Sequence, residues 1–165
     1  MDTTARYALP LLAAGQAQKE EYHNEALQRV DACVAPSVAG AASATPPVSP
    51  TVGDCFIVGA GATGAWAGKA GSLALYGDGG WRFIAAREGL RVWVSGSGVD
   101  ALYRSGMWEY GVVRGSQLSV GGTRVVGAQQ AAIGDPTGGS VVDAQSRSAI
   151  VAILAALRVH GLIAP

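Results

Sequence analysis

The residues whose types and spacing come closest to a known chemical site are three glycines in the segment 57–64. They are Gly59, Gly61 and Gly64, which form a G-x-G-x-x-G pattern after an apolar run. In a dinucleotide-binding site such a turn leads into a long helix whose N-terminus binds the pyrophosphate. Here Gly68 and Gly71 interrupt the next segment, and a strand pattern resumes at Leu73. We therefore expect no nucleotide cofactor, and we expect the glycines to serve a hairpin that needs positive φ angles.

Side chains for nucleophilic, acid–base or metal chemistry are few and scattered along the sequence. The two histidines, His23 and His160, fall on or at the end of predicted helices, where a structural role accounts for each. Cys33 and Cys55 lack a C-x-x-C spacing and a neighbouring histidine, which argues against zinc. Two buried free thiols are expected, and a disulfide stays open. The sequence predicts a protein that is not an enzyme, with no catalytic residue, cofactor or metal.

Aromatic side chains are the remaining candidates for ligand contact, and they are concentrated between residues 66 and 110. Rings on a small sheet can stack on sugar rings, but a small sheet also needs large side chains for its core. The core interpretation is favoured, because the sequence places the tryptophans where hairpins would turn inward. The candidate glycan-binding residues are Trp66, Trp81, Tyr103 and Trp108.

An internal repeat positions these aromatic residues. The pattern that begins at Tyr76 and continues through Gly79, Trp81 and Phe83 recurs 27 residues later, beginning at Tyr103. Two copies predict two similar hairpins in one small sheet or barrel. Short runs of β-branched and aromatic residues between glycine turns predict strands at 55–58, 73–76, 81–84, 90–94, 108–113 and 117–120.

Helices are predicted on both sides of the β region. Residues 15–34 lack proline, and apolar residues recur there at helical spacing. This stripe consists of Tyr22, Ala26, Leu27, Val30 and Val34. An extended apolar arm at 9–12 precedes the helix and is expected to be free to contact a particle or a neighbouring subunit. The second helix, at 143–160, begins at the N-cap candidate Asp143. Its narrow apolar stripe is a candidate oligomer interface formed by Ile150, Ile153, Leu154 and Leu157.

The predicted fold class is therefore α+β, with a small glycine-rich antiparallel β domain made of hairpins between two helices. We expect four segments along the chain. Residues 1–35 form the arm and the N-terminal helix, and residues 36–53 form a proline-rich extended linker. Residues 54–127 form the β domain, and residues 128–165 form a loop and the C-terminal helix.

Composition narrows the class of protein. Of 165 residues, 24 are glycine, only 15% are charged, and Lys+Arg balance Asp+Glu at 12 each. The absence of a basic excess argues against a nucleic-acid partner. Low surface charge suggests a surface covered by copies or partners, although a loop-rich glycine-heavy protein is the alternative. The sequence shows no secretory signal and no membrane-length apolar run, so synthesis in the cytoplasm without a signal peptide is expected.

Three segments resemble an uncharacterised domain family of phages and gene transfer agents of alpha-class proteobacteria. Residues 9–27 resemble its N-terminal signature, residues 53–89 its central block and residues 141–163 a C-terminal helix of the same virion proteins. Ala86 replaces the usual proline of the central block. The resemblance implies a virion component such as a tail fibre or head spike, located in the phage-like particle, and it brings no catalytic residues.

Two hypotheses of different class follow. The first is a structural protein of the virion, the base or connector of a head spike or tail fibre involved in host attachment. Its partners would be copies of itself, as a trimer or pentamer, and capsid, tail or distal fibre proteins. The second is a small carbohydrate-binding module that recognises a cell-surface polysaccharide through exposed aromatic side chains. Buried tryptophans would favour the first hypothesis, and exposed ones the second.

Overall fold

A computed structural model describes residues 3–15 and 19–165, and the chain divides into two compact units. Unit 1 comprises residues 1–112 and unit 2 comprises residues 113–165. One helix precedes the strands along the chain and a second helix follows them, so the predicted α+β class is confirmed. The boundary between the compact units follows residue 112, within the segment 54–127 that the sequence predicts to be one β domain.

Unit 1 contains one helix and two small sheets. Its elements are α1 (Lys19–Val34), β1 (Ser37–Val38), β2 (Cys55–Ile57), a 3-10 turn (Gly64–Trp66), β3 (Leu73–Gly77), β4 (Gly80–Ile84), β5 (Arg91–Val94), β6 (Val99–Arg104) and β7 (Met107–Tyr110). One sheet has the strand order β1-β5-β6-β7, and the other has the order β2-β3-β4. All pairs in these two sheets are antiparallel except β1 with β5, which is parallel.

The main core of unit 1 is built from alternate residues of both sheets. Ile57, Leu73 and Leu75 from the three-stranded sheet join Val92 and Val94 from the four-stranded sheet in one buried cluster. Successive side chains of a strand point to opposite faces, so the residues between them face the other way. The three-stranded sheet therefore has a second face, which carries a separate small aromatic cluster.

The internal repeat corresponds to two hairpins, as predicted, but the hairpins lie in two different sheets and not in one small sheet or barrel. Tyr76 lies opposite Trp81 across β3 and β4, and Tyr103 lies opposite Trp108 across β6 and β7. The ring centroids of the two pairs are 4.9 and 5.2 Å apart, respectively, and both pairs have edge-on geometry. In the second hairpin the two turn residues, 105 and 106, have φ angles of +50° and +82°. A type I′ turn requires positive φ at both central positions, which matches the twist of the strands.

The predicted proline-rich linker is an integral part of unit 1. Within it, Ser37 and Val38 form strand β1, which pairs with Trp93 and Val94 of β5, and Val38 is fully buried in the core. The backbone of Pro36 takes part as well, since its carbonyl oxygen accepts a hydrogen bond of 2.8 Å from the N–H of Trp93. Proline limits a segment to the edge of a sheet, and β1 is an edge strand. The sequence reasoning missed β1, β6 and, in unit 2, a strand at residues 123–126.

Helix α1 buries a different face from the one that its apolar stripe predicts. Tyr22 is 81% exposed, and Val30 and Val34 are exposed as well. The fully buried positions of the helix are Asp31 and Ala32. Part of the predicted helix, residues 16–18, lies outside the described residues. The orientation is set by polar contacts, which a count of apolar residues does not detect.

The first of these polar contacts fixes the N-terminal arm to α1. The carboxylate of Asp31 accepts hydrogen bonds from the hydroxyl of Thr4 (2.7 Å) and from the backbone N–H groups of Arg6 (2.9 Å) and Tyr7 (2.8 Å). Further along the arm, the side-chain amide of Asn24 bonds both backbone groups of Leu12. The expectation that the arm at 9–12 is free is therefore wrong, because Leu12 and the preceding residues Thr4, Arg6 and Tyr7 bind the helix of their own chain.

The second polar contact ties α1 to the three-stranded sheet. Nε of Arg82 on β4 donates to a carboxylate oxygen of Glu25 at 2.7 Å, and Nε of Arg29 donates to the other oxygen at 2.9 Å. Burial tends to raise the pKa of Glu25, but the hydrogen bonds and charges of Arg82 and Arg29 outweigh it and lower the pKa. Glu25 is therefore held as a carboxylate between two cations.

Unit 2 contains a hairpin and a helix. Its elements are β8 (Leu118–Val120), β9 (Thr123–Val126) and α2 (Ala144–Val159). The predicted N-cap is confirmed, because Asp143 accepts from the backbone N–H of Ser146 at 2.9 Å. Gln130 lies in the loop before the helix, and its backbone N–H donates to the carbonyl oxygen of Leu162, which follows the helix. The N–H of Ala164 in turn donates to the carbonyl oxygen of Gln130. These bonds fix the C-terminal tail to the loop before the helix.

Candidate functional site

The G-x-G-x-x-G segment forms a tight loop between β2 and β3. It ends in the three-residue 3-10 turn and not in a long helix. The helix N-terminus that binds the pyrophosphate in a dinucleotide-binding turn is therefore missing after these glycines. Gly61 and Gly64 have φ angles of +68° and +56°, which confirms the expected use of glycine. Gly59 serves close packing instead, because a Cβ atom there would lie 3.0 Å from the carbonyl carbon of Ser43. Its N–H donates to the carbonyl oxygen of Ser43 at 2.7 Å.

The histidines and cysteines do not form a reactive cluster in the described part of the chain. His23 is exposed on α1, and its Nδ1 lies 2.8 Å from the carbonyl oxygen of Lys19. His160 caps the C-terminus of α2. Cys55 is buried and burial raises its pKa to about 11, whereas Cys33 is exposed, so the expectation of two buried thiols is wrong for Cys33. Residues 3–15 and 19–165 contain no group of three potential metal ligands.

Two of the four candidate glycan residues lie in the small aromatic cluster. Trp66 is 0% exposed, and its ring centroid lies 5.7 Å from that of Phe56 and 5.2 Å from that of Trp81. Trp81 is half-buried and also contacts Tyr76. Trp66 therefore belongs to the core and offers no face to a sugar. These rings cover the face of the three-stranded sheet that is opposite the main core.

The other two candidates meet at an open cleft, which we call the aromatic cleft. It has a volume of about 320 Å³, and its walls include Tyr103, Met107, Trp108 and Tyr110. Two of these groups already have partners. Nε1 of Trp108 donates to the carbonyl oxygen of Gly71 at 2.9 Å, and the hydroxyl of Tyr110 accepts from the N–H of Ala42 at 3.0 Å. The cleft lies at the small end of the size range of ligand pockets, and no charged side chain lines it among the described residues.

Trp93 is an exposed aromatic residue that the candidate set did not include. It is 47% exposed on the outer face of the four-stranded sheet, where Asp100 lies opposite it on β6. The signal was present in the sequence, because Val92 and Val94 are the inward residues of an alternating strand and Trp93 stands between them.

The candidate oligomer stripe of α2 divides between two environments. Leu154 is 6% exposed and Leu157 is half-buried, whereas Ile150 is exposed and Ile153 is 59% exposed. Only the two isoleucines are therefore open to a partner. Across residues 113–165, all of which the structure describes, Leu154 and Ile163 are the only buried residues. The rest of this unit offers its surface to solvent or to other molecules.

Comparison with known proteins gives one family. The model of the family described as "Protein of unknown function (DUF2793)" matches residues 23–109, which lie within unit 1 and run from α1 into β7. None of the curated proteins matches the chain. No helix among the described residues is both long enough and apolar enough to cross a membrane.

Proposed function

We propose that this chain, which belongs to the DUF2793 family, is a structural subunit of a phage-like particle. In this role it is the base or connector of a head spike or tail fibre and takes part in attachment to the host cell surface. Its partners are copies of itself, as a trimer or pentamer, and the capsid, tail or distal fibre proteins next to it. It is made in the cytoplasm and acts in the assembled particle.

The observation that carries this proposal is the unequal burial of the two units. Unit 1 has a closed core that includes strands of both sheets, whereas unit 2 buries only Leu154 and Ile163 among its described residues. A unit with so little core gains stability mainly by covering apolar surface with other molecules. A self-contained body joined to an association surface is the arrangement that a connector needs.

The sparse charge of unit 2 supports the same role. Its charged residues are Arg114, Arg124, Asp135, Asp143, Arg147 and Arg158. Exposed apolar side chains are more numerous and include Val113, Leu118, Val120, Ile133, Val141 and Val159. Large exposed apolar patches on a protein surface are typical of an interface. Segments 9–27 and 141–163, which resemble virion proteins, lie in the two different units.

Particles assembled without this protein test the proposal. We expect them to lack the spike or fibre in electron micrographs and to lose most of their adsorption to host cells, because the distal attachment protein has no base. Wild-type protein supplied in trans should restore both properties, and so should the matched variant Val48→Asp, whose side chain is fully exposed in unit 1. Complete spikes and fibres together with wild-type adsorption in the deletion would contradict the proposal.

Carbohydrate binding is the second candidate function, and the exposed ring of Trp93 favours it. An open ring beside polar side chains can stack on a sugar while its neighbours bond the hydroxyl groups. Purified protein should then bind host capsule or lipopolysaccharide, and Trp93→Ala should weaken that binding about tenfold without unfolding unit 1. Titration calorimetry measures the affinity for the polysaccharide, and scanning calorimetry measures whether unit 1 is still folded. The variant Trp93→Phe should retain part of the affinity. No binding by the wild-type protein would remove this function.

A further inference from the structure

We infer that unit 2 is completed by other copies of the chain, with the β8–β9 hairpin of one copy lying on helix α2 of the next. The inference rests on the proposed structural role and names the partner of unit 2 and the surfaces that meet.

The first surface is the apolar face of the hairpin. Leu118 lies opposite Val126 and Val120 lies opposite Thr123, with a register irregularity between Leu118 and Ser119. The face that carries Leu118 and Val120 therefore also includes Val126 and the small polar side chain of Thr123. The opposite face carries Ser119 and Arg124. Every residue of the two strands is exposed, including the apolar ones. A two-stranded hairpin is only marginally stable in water unless its apolar face is covered.

The second surface is the open side of α2. The loop before the helix covers the other side, because Arg147 bonds the carbonyl groups of Pro136 and Gly138 and Arg158 forms an ion pair with Asp135 at 3.0 Å. At 3.6 residues per turn, these arginines point to the same side as the buried Leu154. The open side carries exposed small and apolar residues, namely Ala149, Ala152, Ile153, Ala156 and Val159, together with the exposed polar residues Gln145 and Ser148 near the start of the helix.

The character of the open side indicates what covers it. Arg147 and Arg158 are the only charged residues within α2, and both serve the covered side. A helix that is apolar around most of its circumference is normally surrounded by other elements. The missing cover must be uncharged and able to approach small alanine side chains closely.

The apolar face of the hairpin meets this description and is itself uncovered. Because identical copies each carry one hairpin face and one open helix side, a head-to-tail ring satisfies both surfaces in every copy. Rings of three or five copies fit the proposed role in a spike or fibre.

Solution mass and cross-linking of the full chain test the inference. Sedimentation should give a defined multiple of 16.7 kDa, and Val120→Asp and Ile153→Asp should each return the monomer. Val48→Asp in unit 1 is the matched control and should stay oligomeric. All four tryptophans lie in unit 1, so their fluorescence shows whether a variant still folds there.

The cross-linking experiment distinguishes a hairpin-to-helix contact from a helix-to-helix contact. Chains with Val120→Cys are mixed with chains with Ile153→Cys, both carrying Cys33→Ser, while the buried Cys55 is left in place. Disulfide-linked mixed dimers are expected. Links only between like chains, or a monomer at every concentration tested, would overturn the inference. These results are independent of adsorption, because a chain can form the ring even if particles lacking it attach normally.

Discussion

Replacing Trp66 by alanine is expected to lower the free energy of unfolding of unit 1 by about 3–5 kcal/mol. The indole is fully buried and contacts the rings of Phe56 and Trp81 across the second face of the three-stranded sheet. Its removal leaves a cavity between the loop and the sheet, and the loop is anchored on both sides by the glycine turn and β3. A domain of this size has about 5–15 kcal/mol of total stability, so the loss is a large share.

The matched control for this prediction is Trp93→Ala, the same change at a ring that is half exposed on the outer sheet face. It should cost less than about 1 kcal/mol, because surface substitutions rarely cost more. Urea denaturation followed by far-ultraviolet circular dichroism measures both variants without depending on tryptophan emission. Equal losses for the two variants would show that Trp66 does not belong to the core.

Replacing Asp31 by alanine is expected to lower the free energy of unfolding of unit 1 by about 3–5 kcal/mol and to release the N-terminal arm. The carboxylate is fully buried and accepts three hydrogen bonds, from the Thr4 hydroxyl and from the N–H groups of Arg6 and Tyr7. Each buried donor left without an acceptor costs about 1–3 kcal/mol, and the two backbone donors are only partly buried. Urea denaturation measures the loss, and limited proteolysis at residues 3–12 detects the released arm.

Two variants sharpen this prediction. Asp54→Ala removes a carboxylate that accepts one exposed hydrogen bond, from the N–H of Thr51, and should cost only about 1 kcal/mol. Asp31→Asn keeps one acceptor oxygen and should fall between the wild type and Asp31→Ala. An arm as resistant to protease in Asp31→Ala as in the wild type would show that other contacts hold it.

The polar anchoring of α1 also explains why its apolar side chains are exposed. Because Asp31 and Glu25 hold one side of the helix to the arm and to Arg82, the side with Tyr22 and Val30 faces outward. Each compact unit contains a helix with exposed apolar side chains. This is consistent with the proposed connector role.

The local sequence determined the hairpins, the caps and the fold class. The repeat that begins at Tyr76 and Tyr103 encodes two glycine-containing turns and two aromatic pairs. Within each pair, the two aromatic residues lie opposite each other across their hairpin. Asp143 caps α2 as its position predicts. These features depend on residues close in the chain, where turn geometry, side-chain alternation and capping bonds act directly.

The tertiary structure decided which surfaces are buried and where the compact units divide. Asp31 and Arg82 outweigh the apolar stripe of α1 through hydrogen bonds to residues 24 to 57 positions away. Val38 becomes core because a strand more than fifty residues later pairs with it. Trp66 is enclosed by a loop and Trp93 faces solvent, although both are tryptophans of one β region. Such outcomes depend on long-range contacts, since burial is a property of what packs around a residue and not of the residue itself.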